Sequence, residues 1–306
     1  MEKLILLYLS LSTVFFSCDK KEHTVTIDTE PTTELVQQLK NKTNLISRVY
    51  SDSLMHIANG VDEIDVHYLS MNGYTTRAFI LRVDLNVAGN TIIPVTAYGA
   101  EDPTTFQPVR DMLSFANVPD GKKIVGAVNG DFFDAAKKPM SVVHLDGKII
   151  KSTMTYDYLT FLGFTATGNP IMGGIDEYTS HKNGLYNAIG GFHRLVKEGA
   201  VTTSPDLTSL SSSRHPRTAA GYTKDNILYF AVVDGRKFDY SNGLTIPDLA
   251  QFMYGLGCEE AINLDGGGSS TFIIRHPKSA TYQVRNRVSD GYERSVGNGW
   301  VILSNN

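Results

Sequence analysis

Cysteine is scarce in this chain: Cys18 and Cys258 are the two cysteines among 306 residues. Cys18 lies at the end of an N-terminal leader, so Cys258 is left without a partner for an intrachain disulfide. A small secreted scaffold held together by disulfides is therefore excluded. We expect Cys258 to pack in the core as a small apolar residue.

An excess of one charge sign is also absent, because the net charge is −4 and the charged residues are spread along the chain. Nucleic-acid-binding proteins concentrate Lys and Arg on one face, so we expect no nucleic-acid partner. Tryptophan is scarce too, with one Trp against 15 Tyr and 14 Phe, and no internal repeat is visible. This composition is typical of a β-rich protein, and 42% hydrophobic residues can fill the core of one large domain.

The apolar run near the N-terminus, residues 4–16, is shorter than the roughly 20 residues that a membrane-spanning helix needs. Its length, the preceding Lys3 and the Ser17-Cys18 pair resemble a bacterial lipoprotein signal. We therefore expect residues 1–17 to be a signal peptide and Cys18 to carry a lipid that anchors the protein to the membrane. The protein would then lie in the bacterial cell envelope, in the periplasm or on the outer-membrane surface. The alternative is plain secretion, with Cys18 discarded or free.

The rest of the chain divides into a short N-terminal part and one large domain. Residues 18–60 are expected to form a polar tether followed by a helix over residues 31–49, where apolar residues recur at helical spacing. Residues 61–306 are expected to form an α+β fold, with a β-rich mixed-sheet core and a few packed helices. Further helices are predicted over residues 108–118 and after Thr245, which has capping-box spacing to the following acid.

Three predicted strands end at an aspartate beside glycine: Asp131, Asp234 and Asp265. If these strands lie side by side in one sheet, their carboxylates meet in one cleft. Three glycines follow Asp265, a run expected where the backbone takes positive φ or where another group approaches closely. Plainer interpretations exist, because Asp265-Gly266 is also a hairpin signal and residues 129–134 are ordinary turn formers.

A compact group of cations surrounds a proline in the segment Arg214-His215-Pro216-Arg217, and Arg236 follows the strand that ends at Asp234. Arginine holds phosphate or carboxylate through two parallel N–H bonds, which lysine cannot copy. The pattern predicts an anion-binding site, and a surface ion-pair patch is the alternative.

Taken together, these blocks resemble the signature of the phosphodiester glycosidase family. The blocks stand in the family's order: Asn-Gly-Asp-Phe-Phe at 129–133, His-Pro-Arg-Thr-Ala at 215–219, Val-Asp-Gly-Arg at 233–236, Leu-Asp-Gly-Gly-Gly-Ser at 264–269 and Glu-Arg at 293–294. The resemblance covers roughly residues 75–304 and leaves residues 19–60 outside it. It implies that the large domain is catalytic. Its reaction would remove a GlcNAc-like sugar from a sugar-1-phosphodiester, either a glycan or a small molecule, and would leave a phosphomonoester.

That reaction suggests roles for the candidate residues. A phosphomonoester leaving group has a second pKa near 6 and needs little protonation. The site must therefore supply anion binding and a carboxylate that stabilises an oxocarbenium-like transition state or activates water. Asp265 or Asp131 is the expected nucleophile or base, and Asp234 is a third catalytic candidate. Phosphate and substrate binding is expected from Arg217, His215, Arg236, Gly266, Gly267, Gly268, Ser269, Asn129 and Glu293. No cofactor is expected.

Two other functions fit the same residues. A metal-dependent phosphodiesterase would use oxygen ligands for Ca²⁺ or Mg²⁺ and would break a phosphorus–oxygen bond. Its ligands would be Asp131, Asp134, Asp234 and Asp265, although the sequence has no tight aspartate-rich metal loop. A non-catalytic envelope protein would use the same cleft to bind a phosphorylated glycan, and only turnover separates it from the enzyme.

Overall fold

A computed structural model describes residues 30–102, 104–202 and 209–306 of the chain. The predicted signal peptide and the lipid site at Cys18 lie outside these residues. The helices of the described part are α1 (Glu34–Lys42), α2 (Val109–Met112), α3 (Ile175–His181), α4 (Ser209–Ser212) and α5 (Ile246–Gly255). None of them is long and apolar enough to cross a bilayer.

Strands make up most of the regular structure in the described residues. In chain order they are β1 (Ile46–Ala58), β2 (Val61–Ser70), β3 (Thr75–Asp84), β4 (Thr91–Thr96), β5 (Lys122–Asn129), β6 (Val143–Leu145), β7 (Lys148–Lys151), β8 (Thr160–Thr165), β9 (Pro170–Gly173), β10 (Leu185–Gly191), β11 (Arg194–Lys197), β12 (Ala200–Val201), β13 (Arg217–Tyr222), β14 (Ile227–Val233), β15 (Glu260–Leu264), β16 (Phe272–Arg275), β17 (Tyr282–Val284) and β18 (Asn298–Asn305).

The strands form three antiparallel sheets. The first has eight strands in the order β1-β2-β3-β14-β13-β15-β11-β12. The second has the order β17-β16-β5-β18-β4, and the third has the order β7-β6-β10-β8-β9. This architecture confirms the predicted β-rich α+β fold, although its named strands pair in antiparallel fashion and do not form the mixed sheet that was expected.

Apolar side chains divide the fold into layers. One face of the first sheet packs against α1 and α5, where Leu39 and Phe252 are fully buried. Its other face packs against the second and third sheets through a cluster that includes Phe230 and Trp300. The outer face of the second sheet is covered by α2 through residues such as Met112. The central strands of the first sheet, such as β13 and β14, are therefore buried on both faces, which accounts for their apolar composition.

Local sequence signals placed several elements correctly. The turn at Asn72-Gly73 joins β2 to β3, with Gly73 at φ +79°. Thr245 caps α5 by accepting a hydrogen bond from the Asp248 N–H at 3.1 Å. Cys258 is buried in the core, as expected of a small apolar residue.

The predicted helices near the N-terminus and over residues 108–118 are shorter than expected. Helix α1 ends at Lys42, and Thr43 is already extended, so the apolar residues from Ile46 onward belong to β1. Strand β1 pairs with β2 along its length, and these non-local bonds outweigh the helical spacing of its apolar residues. Helix α2 spans four residues and is followed by a short 3₁₀ turn, because Ala116 leaves the helical region.

The three aspartate-ended strands do not all lie in one sheet, so the condition set for their carboxylates to meet is not fulfilled. Strands β14 and β15, which precede Asp234 and Asp265, lie in the first sheet with β13 between them. Strand β5, which precedes Asp131, lies in the second sheet. The hairpin interpretation of Asp265-Gly266 is wrong as well, since β15 and the following β16 belong to different sheets.

Candidate active site

A cleft of about 660 Å³ opens where the ends of β13 and β15 in the first sheet meet the segment after β5 in the second. Its lining combines one carboxylate, several cations, glycines and aromatic rings. The lining residues are Phe132, Tyr158, Phe192, His193, Ser211, His215, Arg217, Arg236, Ile246, Asn263, Asp265, Gly266, Gly267 and Arg294.

Asp265 is the carboxylate that lines the cleft. Its N–H donates to the Gly130 carbonyl at 3.0 Å, which joins the end of β15 to the segment after β5. One carboxylate oxygen accepts a hydrogen bond from the Gly266 N–H at 2.8 Å, and the Ser269 side chain also bonds to the carboxylate. Burial raises the pKa of Asp265 to about 6, while these bonds and the charge of Arg294 oppose the rise. The group is therefore mainly ionised at neutral pH.

The three glycines after Asp265 are each required for a different reason. A Cβ on Gly266 would lie 2.8 Å from the Pro216 carbonyl oxygen. Gly267 has φ +61°, and a Cβ there would lie 3.2 Å from Nη2 of Arg236. A Cβ on Gly268 would lie 2.2 Å from Nη2 of Arg294. The glycine loop, residues 266–268, thus has no side chains because a neighbouring strand end and two arginines pack directly on its backbone.

Three arginines and a histidine gather beside this loop. Arg217 is buried, and its Nε and Nη2 donate to the carbonyls of Leu244 and Ser213, each at 3.0 Å. Burial lowers the pKa of Arg217 to about 10, with a smaller contribution from the charge of Arg236. Burial and the same neighbouring arginines lower the pKa of His215.

The outer pair of cations is exposed. Arg236 lies 3.4 Å from Nδ1 of His215 and has φ +61°, while Arg294 forms an ion pair with Asp290 at 2.7 Å. The cations therefore run from the buried Arg217 outward to the cleft mouth, which suits a phosphate that is partly enclosed.

Aromatic rings form a second group in the cleft. The Phe192 ring centroid lies 4.9 Å from that of Phe132, 5.0 Å from that of Tyr158 and 4.6 Å from that of His193. Rings of this kind offer apolar faces to a ligand. Asp265 is connected to both groups, because its backbone bonds to Gly130 next to the aromatic segment and its chain continues into the glycine loop.

Asp131 lies behind the cleft wall and is not among the lining residues. Its carboxylate is 1% exposed and accepts hydrogen bonds from the N–H groups of Phe132 and Ser141. A Cβ on Gly190 would lie 2.6 Å from both carboxylate oxygens, so the glycine leaves room for this acid. Burial raises the pKa of Asp131 to about 8, with a small contribution from the charge of Asp265.

Asp234 is also buried away from the lining of the cleft. Its carboxylate accepts hydrogen bonds from Nδ2 of Asn286 at 3.2 Å and from the Arg287 N–H at 2.8 Å. Tyr240 bonds to it as well, and burial raises the pKa of Asp234 to about 6. In this structure Asp234 joins two loops rather than facing the cleft.

The remaining predicted site residues, Asn129, Gly268, Ser269 and Glu293, are not among the residues that line the cleft. Asn129 is fully buried, accepts hydrogen bonds from Thr218 and Thr271, and donates to the Asp265 carbonyl. Gly268 and Ser269 are buried, and Glu293 pairs with Arg110 at 2.8 Å. Asn129 and Ser269 both bond to Asp265 and so help to hold it in place.

The oxygen ligands of the metal hypothesis do not converge. Asp134 accepts hydrogen bonds from the N–H groups of Ala136 and Lys138 in its own turn. Asp131 and Asp234 likewise bond to backbone N–H groups. Across residues 30–306, leaving out the undescribed positions, no three His, Cys, Asp or Glu side chains gather in a metal-binding arrangement.

Several lining residues were not among the sequence candidates: Phe132, Tyr158, Phe192, His193, Asn263 and Arg294. A signal existed for two of them, because Phe132 and Arg294 stand inside the blocks that carry the family resemblance. The others come from the starts and ends of strands in different sheets, and only the fold brings them together.

Comparison with protein families gives a match to the phosphodiester glycosidase model over residues 122–303. N-acetylglucosamine-1-phosphodiester alpha-N-acetylglucosaminidase of Mus musculus is 27% identical over 173 residues, which cover 51% of this chain and 32% of the mouse protein. The SPbeta prophage-derived uncharacterized protein YomE of Bacillus subtilis (strain 168) is 36% identical over 103 residues, which cover 33% of this chain and 15% of YomE. The chain therefore spans a third or less of these relatives.

Solved structures show the same fold. The zebrafish N-acetylglucosamine-1-phosphodiester alpha-N-acetylglucosaminidase catalytic domain, auto-inhibited by its pro-peptide, has a TM-score of 0.62 at 17% identity. That similarity covers 85% of this chain and 95% of the zebrafish chain. A hypothetical protein from Synechocystis has a TM-score of 0.61 at 12% identity, covering 83% of this chain and 64% of the other.

Proposed function

Because the chain belongs to the phosphodiester glycosidase family, we propose that it is a hydrolase that removes a sugar from a sugar-1-phosphodiester. The products are free sugar and a phosphomonoester. We further propose a GlcNAc-like sugar, as in the name of the mouse relative. The proposed place of action is the bacterial envelope, through a lipid on Cys18.

One observation carries the proposal: the Asp265 carboxylate, the arginines and the aromatic rings line a single cleft. Arginines at the end of a cleft suit a phosphate, which accepts charge-assisted hydrogen bonds. Apolar ring faces beside a carboxylate suit a sugar ring whose anomeric carbon gains positive charge. The lining of this cleft therefore supports the proposal, because it offers groups suited to both halves of a sugar phosphodiester.

In the proposed reaction the bond from sugar C1 to the phosphate oxygen breaks, and the bond electrons leave with the phosphate. A water oxygen ends on C1, directly or after a covalent intermediate. Asp265 is ionised at neutral pH, so it stabilises the oxocarbenium-like transition state as nucleophile or activates water as base.

The cationic group has a separate task. Arg217, with His215 and Arg236, holds the phosphate and stabilises the charge that it gains as it leaves. Arg294 stands over the glycine loop and adds a third guanidinium group to those of Arg217 and Arg236. Since the leaving phosphomonoester has a second pKa near 6, a general acid contributes little. Protonated Asp131, buried behind the wall, is assigned a supporting role beneath Phe132.

Hydrolysis of a GlcNAc-phosphate diester in ¹⁸O-labelled water tests the proposal. We expect the label in the sugar hydroxyl and none in the phosphate. Label in the phosphate would mean that a phosphorus–oxygen bond breaks, as in a metal-dependent phosphodiesterase. A chelator in parallel reactions checks the same alternative, because a reaction that uses only protein groups continues in its presence.

A non-catalytic role is tested in the same assay. Tight binding of several sugar-phosphate diesters without turnover would favour an envelope protein that binds phosphorylated glycans. The Asp265→Asn variant separates the two, since it should bind the diester while releasing no sugar. Asp120→Asn, a change at an exposed aspartate outside the cleft, is the matched control.

A further inference from the structure

A second cavity adjoins the cleft and shares two of its lining residues, Tyr158 and His193. Its volume is about 350 Å³, which is within the range of small-molecule sites. We call this cavity the side groove, and its lining includes Asp157, Tyr158, Asp176, His193, Arg194 and Lys197. Because the two cavities share part of their walls, a ligand in the cleft can continue into the side groove past Tyr158 and His193.

The side groove is connected to the cleft through the aromatic group. Both shared residues contact Phe192, whose ring centroid lies 5.0 Å from that of Tyr158 and 4.6 Å from that of His193. Among the described residues that line the side groove, neither Asp265 nor any of the arginines of the cleft occurs. In the proposed function the sugar lies against the aromatic group, so the side groove is entered from the sugar and not from the phosphate.

Ring contacts continue from the cleft to this connection. The Phe192 ring lies 4.9 Å from Phe132 in the cleft, measured between centroids, and it also contacts Tyr158. Tyr158 in turn stacks on Tyr156, with centroids 5.1 Å apart and an angle of 9° between the rings. Tyr158 contacts His193 as well and still remains 38% exposed. A ring that its neighbours hold in place and that stays accessible offers a preformed apolar surface to a sugar.

The walls of the side groove come from two sheets that an arginine joins. The groove lies where the start of β8 in the third sheet, the first turn of α3 and strand β11 of the first sheet meet. Arg194 on β11 donates to Glu177 on α3 at 2.6 Å and to Glu260 on β15 at 2.8 Å. The other carboxylate oxygen of Glu177 accepts a hydrogen bond from the Gly174 N–H at 2.9 Å. These bonds fix the walls relative to each other, so the side groove is preformed.

The charges of the side groove suit a neutral ligand better than an anion. The arginine and the lysine that line it, Arg194 and Lys197, both pair with Glu177, at 2.6 Å and 3.7 Å. The side chains of Asp157 and Asp176 are exposed. Exposed carboxylates accept hydrogen bonds from sugar hydroxyls and repel a phosphate or a second carboxylate. Together with the accessible ring of Tyr158, they favour an uncharged sugar.

Building on the proposed function, we infer that the side groove binds a second, uncharged sugar, and that the substrate is an oligosaccharide joined to the phosphodiester through C1 of its reducing-end sugar. The reaction at that C1 is the one proposed above: a water oxygen ends on C1, and the phosphate leaves with the bond electrons. The bond between the two sugars stays intact. The product is therefore a free disaccharide or a longer oligosaccharide rather than a single sugar.

A panel of methyl phosphodiesters tests the inference: GlcNAc-1-phosphate methyl ester, and the same compound with a glucose attached through O3, O4 or O6. We expect kcat/KM for at least one disaccharide to exceed that for the monosaccharide by roughly tenfold or more, the effect of about one hydrogen bond to a charged group. Replacing the outer glucose with glucuronic acid should remove this gain, because Asp157 and Asp176 repel its carboxylate. A gain that is retained with glucuronic acid would contradict an uncharged second sugar.

Two variants locate the gain in the side groove. Asp157→Ala and Asp176→Ala should each reduce the ratio of disaccharide to monosaccharide kcat/KM severalfold, because each removes a hydrogen-bond acceptor. Asp225→Ala is the matched control, since Asp225 is an exposed aspartate between β13 and β14 that lines neither cavity. Asp176 lies in the first turn of α3, so Tm is measured with the kinetics. If Asp176→Ala is destabilised, Asp157→Ala decides, because Asp157 lies outside the helices.

The outcomes distinguish this inference from the proposed function. Cleavage of the monosaccharide and every disaccharide at equal kcat/KM would overturn the inference and leave the proposed function standing. If no diester of the panel is cleaved, the proposed function fails. Calorimetry then decides the inference by whether a disaccharide diester binds more tightly than the GlcNAc diester in a way that depends on Asp157. Equal binding of all the diesters would overturn it.

Two further results would also overturn the inference. One is a disaccharide gain that both Asp157→Ala and Asp176→Ala leave intact, because the second sugar would then bind outside the side groove. The other is a gain in kcat/KM when a sugar replaces the methyl group on the phosphate, if that gain is lost in Asp157→Ala. The side groove would then hold the leaving alcohol rather than the oligosaccharide.

Discussion

The Asp234 carboxylate accepts a hydrogen bond from the Arg287 N–H at 2.8 Å. That bond joins the end of β14, which leads into Arg236, to the segment that leads into Arg294. A second bond, from Asn286, extends the connection to the segment after the glycine loop, because Asn286 also donates to the Ser270 carbonyl at 3.0 Å. One buried acid thereby joins the two segments that lead into Arg236 and Arg294.

We expect Asp234→Asn to weaken both the fold and substrate binding. An amide offers one acceptor oxygen where the carboxylate offers two, so one buried donor loses its partner, at about 1–3 kcal/mol. The loops should separate, and KM for a sugar phosphodiester should rise more than kcat falls. Urea unfolding and steady-state kinetics measure the two effects, with Asp239→Asn on the same loop as an exposed control. A variant with unchanged stability and KM would contradict the bridging role.

Asp265→Asn should be nearly inactive while it keeps its fold. Asn keeps the side-chain volume and one oxygen for the Gly266 N–H, so the change removes the charge but little packing. We expect kcat to fall by roughly two to four orders of magnitude, typical of the loss of a group that acts in the transition state. Turnover and Tm are measured together. Near wild-type turnover would show that the Asp265 charge takes no part in the reaction.

Arg217→Lys should reduce kcat/KM by roughly 10- to 100-fold, equivalent to about 1.5–3 kcal/mol for a charge-assisted hydrogen bond. Lysine has no planar guanidinium group with five N–H donors. It therefore cannot replace the bonds to Leu244 and Ser213 and hold a phosphate at the same time. Arg48→Lys on β1, outside the cleft, is the control. A large drop in Tm with intact kinetics would instead show that Arg217 has a structural role.

The stability contribution of Asp131 should depend on pH. Burial raises its pKa to about 8, so the folded protein holds this proton more tightly than the unfolded chain does. The contribution is complete below about pH 4 and is lost as the pH rises toward about 8. Asn cannot ionise, so Asp131→Asn should gain stability relative to wild type over this range, by up to about 1.4 kcal/mol per pH unit. Unfolding free energies near pH 5 and near pH 8 measure the difference, and a constant difference would contradict the raised pKa.

Cys18 should carry the lipid. We expect a palmitate analogue supplied to expressing cells to label the wild-type chain and not Cys18→Ala, because a thioether needs the Cys18 sulfur. Cys258→Ala is the matched control, since Cys258 is buried in the core. Label retained in Cys18→Ala would show that residues 1–17 are not a lipoprotein signal.

Local patterns accounted for much of the fold. The strand pair around Asn72-Gly73 and the helix after Thr245 follow from turn and capping chemistry within a few residues. The N-terminal helix was predicted too long, because Ile46 and Val49 fit a helical spacing equally well. Ile46 and Val49 are in a strand because β1 pairs with β2 in the first sheet. The helical spacing is a property of one segment and contains no information about that pairing.

The sequence by itself determined which functional groups are available to a site. They are aspartates at three strand ends, a glycine loop after Asp265, and arginines around Pro216. Each of these is a local feature, readable from neighbouring residues. The tertiary structure decided which of them face a ligand. Asp265 lines the cleft, while Asp131 and Asp234 turn their carboxylates to buried N–H groups, because their strands enter different sheets or end beside different loops. The exposure and the partners of an acid depend on the sheet that its strand joins, and sheets form through contacts between distant parts of the chain.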